Sequence, residues 1–202
     1  MKFIPSIQAG WLDGARRQPS PNWDARPPDC EPSLLVIHCI SLPPGEFGGP
    51  WIDHLFTNTL PPDEHPYFAE IQHMRVSSHL LIRRDGGVVQ YVPFHGRAWH
   101  AGRSAFYGRR ACNDIGIGIE LEGCDDSGYT DAQYQQLAQA TAAIVRRYPA
   151  ITPERMTGHE HIAPGRKSDP GPGFAWFRFR NGVIQYLNGR SLSGDRRGKS
   201  VS

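Results

Sequence analysis

The sequence predicts a single domain of mixed α/β (α+β) class, with a central mixed β-sheet flanked by helices. Apolar runs at residues 33–40 and 115–122 predict strands, residues 79–92 predict an antiparallel hairpin, and residues 130–148 predict an amphipathic helix. The predicted strands precede the long helix, and a loop with polar side chains follows it. This order is typical of a sheet with helices packed against it.

The first predicted strand, residues 33–40, is apolar on both faces, which is typical of a central strand covered on both sides. His38 interrupts it near the carboxyl end, where a buried imidazole needs a polar partner. Residues 12–32 precede it, are rich in proline, arginine and aspartate, and are expected to lie as an extended arm over the core. Residues 41–50, rich in proline and glycine, and residues 51–67, with a short helical pattern, are expected to form one wall of a cleft.

The predicted hairpin consists of residues 79–84 and 87–92 on either side of Asp85-Gly86. Glycine supplies the positive φ that a tight turn requires, so this dipeptide between two strand-like runs predicts antiparallel pairing.

The second long strand, residues 115–122, alternates without interruption between apolar residues and a face made of glycines and carboxylates. Gly116 and Gly118 leave that face bare, and Glu120 and Glu122 follow them. Glycine inside a strand is usually offset by the close approach of another backbone or a ligand, so a substrate is expected against this face. Glu120 is the stronger candidate for a functional carboxylate, and a carboxylate on an exposed strand face is the alternative.

Two helices follow. Thr130 and Gln133 form a capping-box pattern, and apolar residues then recur at helical spacing until Pro149. A second, shorter helix is predicted over residues 174–187, although Gly182 weakens it.

Length and composition set further limits. With 202 residues, 39% of them hydrophobic, the chain is long enough for one packed core, which we place in residues 1–187, with residues 188–202 as a disordered basic tail. The net charge of +2 argues against a nucleic-acid partner, and no run approaches the roughly 20 apolar residues that span a bilayer. The four cysteines show no Cys-x-x-Cys spacing, and residues 1–11 lack a continuous apolar segment, so a reduced, cytoplasmic protein is expected.

Residues 158–172 carry the largest group of side chains suited to metal binding or catalysis, and their prolines and glycines predict an ordered surface loop. It carries His159, His161 and Asp169, and His38 lies far upstream. Two imidazoles and one carboxylate are a set that binds zinc with a position left for water. Spacing does not decide between His159 and His161, and a site of three histidines remains an alternative to one completed by Asp169.

Several motifs together resemble the cytoplasmic AmpD-type 1,6-anhydro-N-acetylmuramyl-L-alanine amidases, zinc amidases related to phage amidases and peptidoglycan recognition proteins. The resemblance covers about residues 10–180. Its motifs are Val36-Ile37-His38, residues 41–50, His65-Pro66-Tyr67-Phe68, Arg97-Ala98-Trp99-His100-Ala101-Gly102, Cys112-Asn113-Asp114, Gly118-Ile119-Glu120-Leu121-Glu122-Gly123 and the segment from His159 to Asp169.

The resemblance implies the fold of these amidases and assigns zinc to His38, His159 and Asp169. It implies that Glu120 activates water and that Lys167 assists at the developing oxyanion. The reaction implied is hydrolysis of the amide between the lactyl group of 1,6-anhydro-N-acetylmuramic acid and L-alanine in a muropeptide, a small-molecule partner met by a monomer. A muropeptide-recognition module that shares the fold but lacks catalysis is the alternative.

For the substrate, the family pattern suggests Arg75 and Trp99 as binding residues, since arginine suits carboxylates and an aromatic face suits a sugar ring. Cys39 stands where relatives usually have asparagine, at a position that contacts substrate. Ala111 stands where an arginine is common just before Cys-Asn-Asp. Arg109 and Arg110 are close enough in sequence to substitute for it, and Arg110 is the residue we expect to contact substrate.

Overall fold

The computed structural model describes residues 4–189, in which a six-stranded mixed sheet carries helices on its faces. In chain order the strands are β1 (Ile7–Gln8), β2 (Trp11–Leu12), β3 (Arg16–Arg17), β4 (Trp23–Ala25), β5 (Leu34–Ile40), β6 (Leu80–Ile82), β7 (Val88–Gln90), β8 (Gly96–Ala98), β9 (Ala105–Phe106), β10 (Arg109–Arg110), β11 (Gly116–Glu122) and β12 (Met156–Gly158). The helices are α1 (Trp51–Phe56), α2 (Pro66–Ile71), α3 (Asp131–Arg147), α4 (His159–Ile162) and α5 (Trp176–Leu187), with 3₁₀ turns at Cys112–Asp114 and Pro153–Arg155.

The sheet has the order β12-β5-β11-β6-β7-β3, so the two longest strands, β5 and β11, lie side by side in its interior. The strands β12, β5, β11 and β6 run parallel, whereas β6 and β7 pair antiparallel, as the hairpin signal at Asp85-Gly86 predicts. The register of the central pair places Glu120 directly beside His38. The mixed sheet predicted from the sequence is confirmed.

One face of the sheet packs against α3 and α5. Ile117, Ile119 and Leu121 of β11 join the apolar cluster that these helices complete. The capping box at the start of α3 is present, because Thr130 accepts a hydrogen bond from the backbone of Gln133 while the Gln133 side chain accepts one from the Thr130 backbone. The packing of α5 against α3 explains Gly182, a residue type that weakens an isolated helix. A Cβ at Gly182 would lie 2.9 Å from the Ala138 methyl, so glycine allows the two helices to approach closely.

The opposite face is covered by loops and by the short helices α1 and α2, whose buried residues form a second apolar cluster with Leu42, Leu81 and Tyr91. The predicted arm, residues 12–32, contributes β3 to the sheet edge and β4 to a two-stranded ribbon with β8.

Three sequence-based expectations change in detail. Ile115 precedes β11, and it packs with Leu34 and Val36 rather than with the apolar residues of β11 that the alternation groups it with. The bare face of β11 is not open to a substrate at Gly118, because the His100 ring packs there. The segment 158–172 is not a loop throughout, since α4 begins at His159 directly after β12.

Two further observations concern the ends of the chain and the membrane. The predicted tail, residues 188–202, lies outside the described residues from residue 190 onward. Within residues 4–189, no helix has both the length and the apolar character needed to cross a membrane.

Candidate active site

A cavity of about 830 Å³ opens above the carboxyl ends of the parallel strands. Its floor includes His38 and Glu120, and Leu42, Leu55 and Tyr67 belong to one of its walls. The region 41–67 therefore forms the cleft wall that its prolines and short helical pattern predict. Ligands commonly bind at this end of a parallel sheet, because the loops that follow the strands converge there.

Three side chains converge on one point of this cavity. The Nδ1 atoms of His38 and His159 lie 3.0 Å apart, and Oδ2 of Asp169 lies 3.0 Å from the first and 3.1 Å from the second. His38 is 2% exposed, His159 is 3% exposed and Asp169 is 9% exposed. Among the described residues these three form a group whose ligand atoms are close enough together to hold one metal ion.

The topology brings the three residues together from distant parts of the chain. β12 pairs with β5, with Gly158 opposite Ile37, so the residue after Gly158 lies next to His38. α4 begins at that residue, His159, and turns the chain away from the sheet. The loop then returns, and the backbone N–H of Glu160 donates to the carbonyl of Asp169 at 2.9 Å.

The charges in the cluster follow from burial and mutual contact. Burial, opposed by the hydrogen bond to Asp169, lowers the pKa of His38 to about 4, so this imidazole is neutral near pH 7. Burial alone would raise the pKa of Asp169, but hydrogen bonding and charge interactions with His159 and His38 outweigh it and hold that pKa below its usual range. A neutral imidazole at His38 and an ionised carboxylate at Asp169 are the forms that ligate a metal.

Glu120 stands on β11 beside this cluster and is buried. Its Oε2 atom finds no hydrogen-bond partner within residues 4–189. Burial, and secondarily the charge of Asp169, raises the pKa of Glu120 well above its usual value, while Lys167 opposes the shift. A buried, unpartnered carboxyl group at the floor of a cavity is poised to exchange a proton with a bound molecule.

Lys167 is an exposed residue of the loop after α4, and it lines the cavity together with Glu120 and Asp169. Its neighbour Arg166 does not line it. The Arg166 guanidinium instead donates to the backbone carbonyls of Ala101 and Arg103, at 2.7 and 2.9 Å. The loop thus directs one cation into the cavity and uses the other to fasten itself to the chain around residue 101.

The structure gives two other candidate residues different surroundings. His161 is outside the cluster. Its side chain is 59% exposed and its Nδ1 lies 3.4 Å from Oε1 of Glu160. Because α4 is helical, His159 and His161 point to different sides, and the three-histidine alternative does not form. Glu122 is buried and accepts from the backbone N–H of Gly48 at 2.7 Å and of Arg84 at 3.0 Å, so it anchors the loop that forms the cavity wall.

The substrate-binding candidates fall into two groups. Trp99 and Cys39 line the cavity. The indole N–H of Trp99 donates to Asp24 at 3.2 Å, and the Cys39 thiol donates to Asp125 at 3.3 Å. Burial raises the pKa of Cys39, so this residue presents a neutral thiol rather than a thiolate.

Arg75 and Arg110 are exposed and do not line this cavity. The Arg75 guanidinium donates to the carbonyl of Gln72 at 3.2 Å. Arg110 lies in the β9–β10 ribbon.

His100 is a residue of the site that the sequence alone did not predict. Its Nδ1 lies 3.0 Å from Nε2 of His38, on the side of that ring turned away from the cluster. Burial, followed by the nearby His38 and His79, holds the pKa of His100 well below its usual value. The signal was present in the sequence, since Gly116 and Gly118 leave a bare face that a ring was able to occupy.

The chain belongs to the N-acetylmuramoyl-L-alanine amidase family, since residues 28–172, more than half of its length, match the model of that family. It is similar to the 1,6-anhydro-N-acetylmuramyl-L-alanine amidase AmpD of Citrobacter freundii, with 67% identity over 174 residues, which cover 86% of this chain and 92% of that relative.

Solved structures agree. The crystal structure of a selenomethionine derivative of AmpD is 66% identical, covers 88% of this chain and 98% of its own, and superposes with a TM-score of 0.86. The amidase AmiD of Escherichia coli, in complex with its substrate anhydro-N-acetylmuramic acid-L-Ala-D-γ-Glu-L-Lys, is 31% identical with a TM-score of 0.56, over 93% of this chain and 72% of its own.

Proposed function

We propose that this protein is a zinc-dependent amidase that hydrolyses 1,6-anhydromuramyl peptides between the lactyl group of the anhydro sugar and L-alanine. The name of the Citrobacter freundii relative states this activity for that protein, and the AmiD complex holds a substrate of this type. We further propose a cytoplasmic monomer that acts in peptidoglycan recycling, with residues 1–187 as the amidase domain.

The single observation that carries the proposal is the convergence of Nδ1 of His38, Nδ1 of His159 and Oδ2 of Asp169 within 3.1 Å of one another. The Nε2 atom of His159 lies 3.2 Å from the carbonyl oxygen of Ala101, an acceptor that favours the ring proton on Nε2, whereas the Arg166 guanidinium lies farther from that nitrogen, at 3.4 Å. With the proton there, the Nδ1 atom of His159 directs a lone pair at Oδ2 of Asp169, 3.1 Å away. Two electron-rich atoms this close repel each other, and a cation bound between them would turn the repulsion into attraction.

The size of the triangle supports zinc. In a tetrahedral zinc site, ligand atoms at about 2.0–2.1 Å from the metal lie about 3.3–3.4 Å from one another. The separations in the cluster are 3.0 to 3.1 Å, and three protein ligands are typical of a catalytic zinc that keeps a position free. A zinc ion held there would supply a Lewis acid that polarises an amide carbonyl and makes water a stronger acid.

The protein side chains then account for the proton transfers. The Glu120 carboxylate accepts a proton from the attacking water as its oxygen bonds to the carbonyl carbon. The same carboxyl group delivers that proton to the alanine nitrogen as the carbon–nitrogen bond breaks. The raised pKa of Glu120 suits both the uptake of the proton and its delivery. The Lys167 ammonium shares the negative charge that develops on the carbonyl oxygen.

Recognition of the substrate is assigned to four residues. We propose that Trp99 packs against the sugar ring and that Cys39 contacts the ligand where other family members present an amide. Arg75 and Arg110, exposed outside the cavity, would attract the carboxylates of the peptide stem.

A recognition module without catalysis is the second candidate. Against it stands Glu120, whose burial without a partner is unfavourable for folding and is explained by a role in proton transfer.

The zinc assignment is tested by measuring zinc content and muropeptide hydrolysis in His159→Ala and in the matched control His161→Ala. We expect His159→Ala to lose zinc and turnover and His161→Ala to retain both, because only His159 lies in the cluster. Loss of zinc in His161→Ala alone would refute the ligand set.

A further inference from the structure

We propose that the dipeptide His100-Ala101, held in place by Asn113, positions both imidazole ligands and sets their tautomers. This inference rests on the proposed zinc site and assigns the residues that hold it in shape. The dipeptide contacts the outer nitrogens of both rings: Nδ1 of His100 lies 3.0 Å from Nε2 of His38, and the carbonyl oxygen of Ala101 lies 3.2 Å from Nε2 of His159.

The two contacts have the same chemical consequence. A histidine that offers Nδ1 to a metal carries its proton on Nε2, and a hydrogen-bond acceptor at Nε2 fixes that tautomer and the ring orientation. Ala101 supplies a carbonyl acceptor to His159 at 3.2 Å, nearer than the Arg166 guanidinium, which lies 3.4 Å from the same nitrogen and donates to the Ala101 carbonyl at 2.7 Å. His100 supplies an imidazole acceptor to His38, provided that the proton of His100 is on its own Nε2.

The geometry around His100 is specific. The ring lies against the bare face of β11, where a Cβ at Gly118 would come within 2.6 Å of its Cγ and a Cβ at Gly116 would lie 3.3 Å from its Nε2. That Nε2 atom is buried without a hydrogen-bond partner among residues 4–189. An apolar side chain would fill this space without an unsatisfied nitrogen, so packing alone does not explain an imidazole here.

A single side chain holds the dipeptide. Oδ1 of Asn113 accepts from the backbone N–H of His100 at 3.2 Å and from that of Ala101 at 2.8 Å. One amide oxygen therefore fixes the position of both acceptors relative to the sheet, and neither Asn113 nor Ala101 is a member of the metal-binding group.

The matched pair His100→Leu and His100→Asn separates positioning from packing. The two side chains have similar size and both remove the ring, but the Oδ1 atom of asparagine stands where Nδ1 of histidine stood and accepts a hydrogen bond. Zinc affinity is measured by competition with a chelating dye. We expect His100→Leu to bind zinc about 10- to 100-fold more weakly and His100→Asn to recover most of that loss.

A second pair covers the case in which His100→Leu does not fold. Asn113→Leu removes the shared acceptor and is expected to weaken zinc binding, whereas Asn113→Asp keeps an acceptor oxygen and is expected to stay near the wild type. Unfolding of all four variants in the presence of chelator reports the stability of the metal-free protein.

The tautomers are observed directly in nitrogen–proton correlation spectra of the histidine rings of the zinc-free wild type. We expect His38 and His159 both to carry the proton on Nε2, and His38 to lose this preference in His100→Leu. The inference would be overturned if His100→Leu bound zinc as tightly as the wild type, or if His100→Leu and His100→Asn lost equal zinc affinity. A His38 proton on Nδ1 in the wild type would also overturn it. If the wild type bound no zinc, the proposed function would be refuted. The tautomers of His38 and His159 in the zinc-free protein would still test the inference by themselves.

Discussion

At the residue scale, Glu120 and Glu122 show how neighbours on one strand face serve different purposes. Both are buried on β11. Glu122 accepts two backbone N–H groups and pairs with Arg83 at 3.2 Å, whereas an oxygen of Glu120 has no partner among the described residues. The first arrangement stabilises the fold, and the second leaves a carboxyl group free to exchange protons with a ligand.

We predict that Glu120→Gln lowers kcat by about 10²–10⁴-fold, because the amide does not accept the proton of water. Zinc content stays at the wild-type level, and stability is kept or increased, since burial penalises the ionised carboxylate. Steady-state kinetics and chemical denaturation measure the two effects.

The contrasting variant is Glu122→Gln, which is expected to lose about 1–3 kcal/mol of unfolding free energy and to retain most of its turnover. Equal catalytic losses in the two variants would show that Glu120 acts through structure rather than through proton transfer.

The site residues differ in how far the sequence predicts them. His38 is recognisable because it interrupts an apolar strand, and Glu120 because it ends a glycine face. The choice between His159 and His161 needed the turn of α4, since spacing along an extended segment places them on the same side. His100 was missed because its relation to His38 depends on a contact across 62 positions of the chain.

At the element scale, the two long strands that carry His38 and Glu120 were predictable, while the short helix α4 that carries His159 was not. The alternation in β11 and the capping box of α3 are local patterns, so the sequence alone identifies them. α4 has four residues and follows β12 directly, which leaves no periodic pattern to detect. The bare face of β11 was expected to meet a substrate, but at Gly118 its neighbour is the His100 ring.

The close packing of His100 on β11 gives a prediction for Gly118→Ala. The added Cβ would meet the ring at 2.6 Å, so the variant is expected to lose about 1–3 kcal/mol of unfolding free energy through overpacking. The matched control is Gly128→Ala, where nothing lies within 4 Å of the added carbon. Replacing glycine by alanine lowers the conformational entropy of the unfolded chain equally in both variants. The difference between their unfolding free energies therefore measures the effect of packing at Gly118. Equal stabilities in urea would contradict the contact.

At the scale of the whole molecule, the fold brings together residues that the sequence keeps far apart. Parallel pairing of β12, β5 and β11 places His159, His38 and Glu120 at one end of the sheet. The predicted class, a mixed sheet with helices on its faces, follows from the order and period of the elements. The strand order does not, because pairing between distant segments is decided by packing and not by local pattern.

The central claim is tested most directly by hydrolysis of 1,6-anhydro-N-acetylmuramyl-L-alanyl-D-glutamyl-diaminopimelate in ¹⁸O-labelled water, with the products identified by mass spectrometry. For the zinc-loaded protein we predict free tripeptide and an anhydromuramic acid that carries one ¹⁸O in its lactyl carboxylate, with no products after chelation and recovery when zinc is returned. A zinc-loaded protein that binds this substrate without cleaving it, or that cleaves a different bond, would contradict the account.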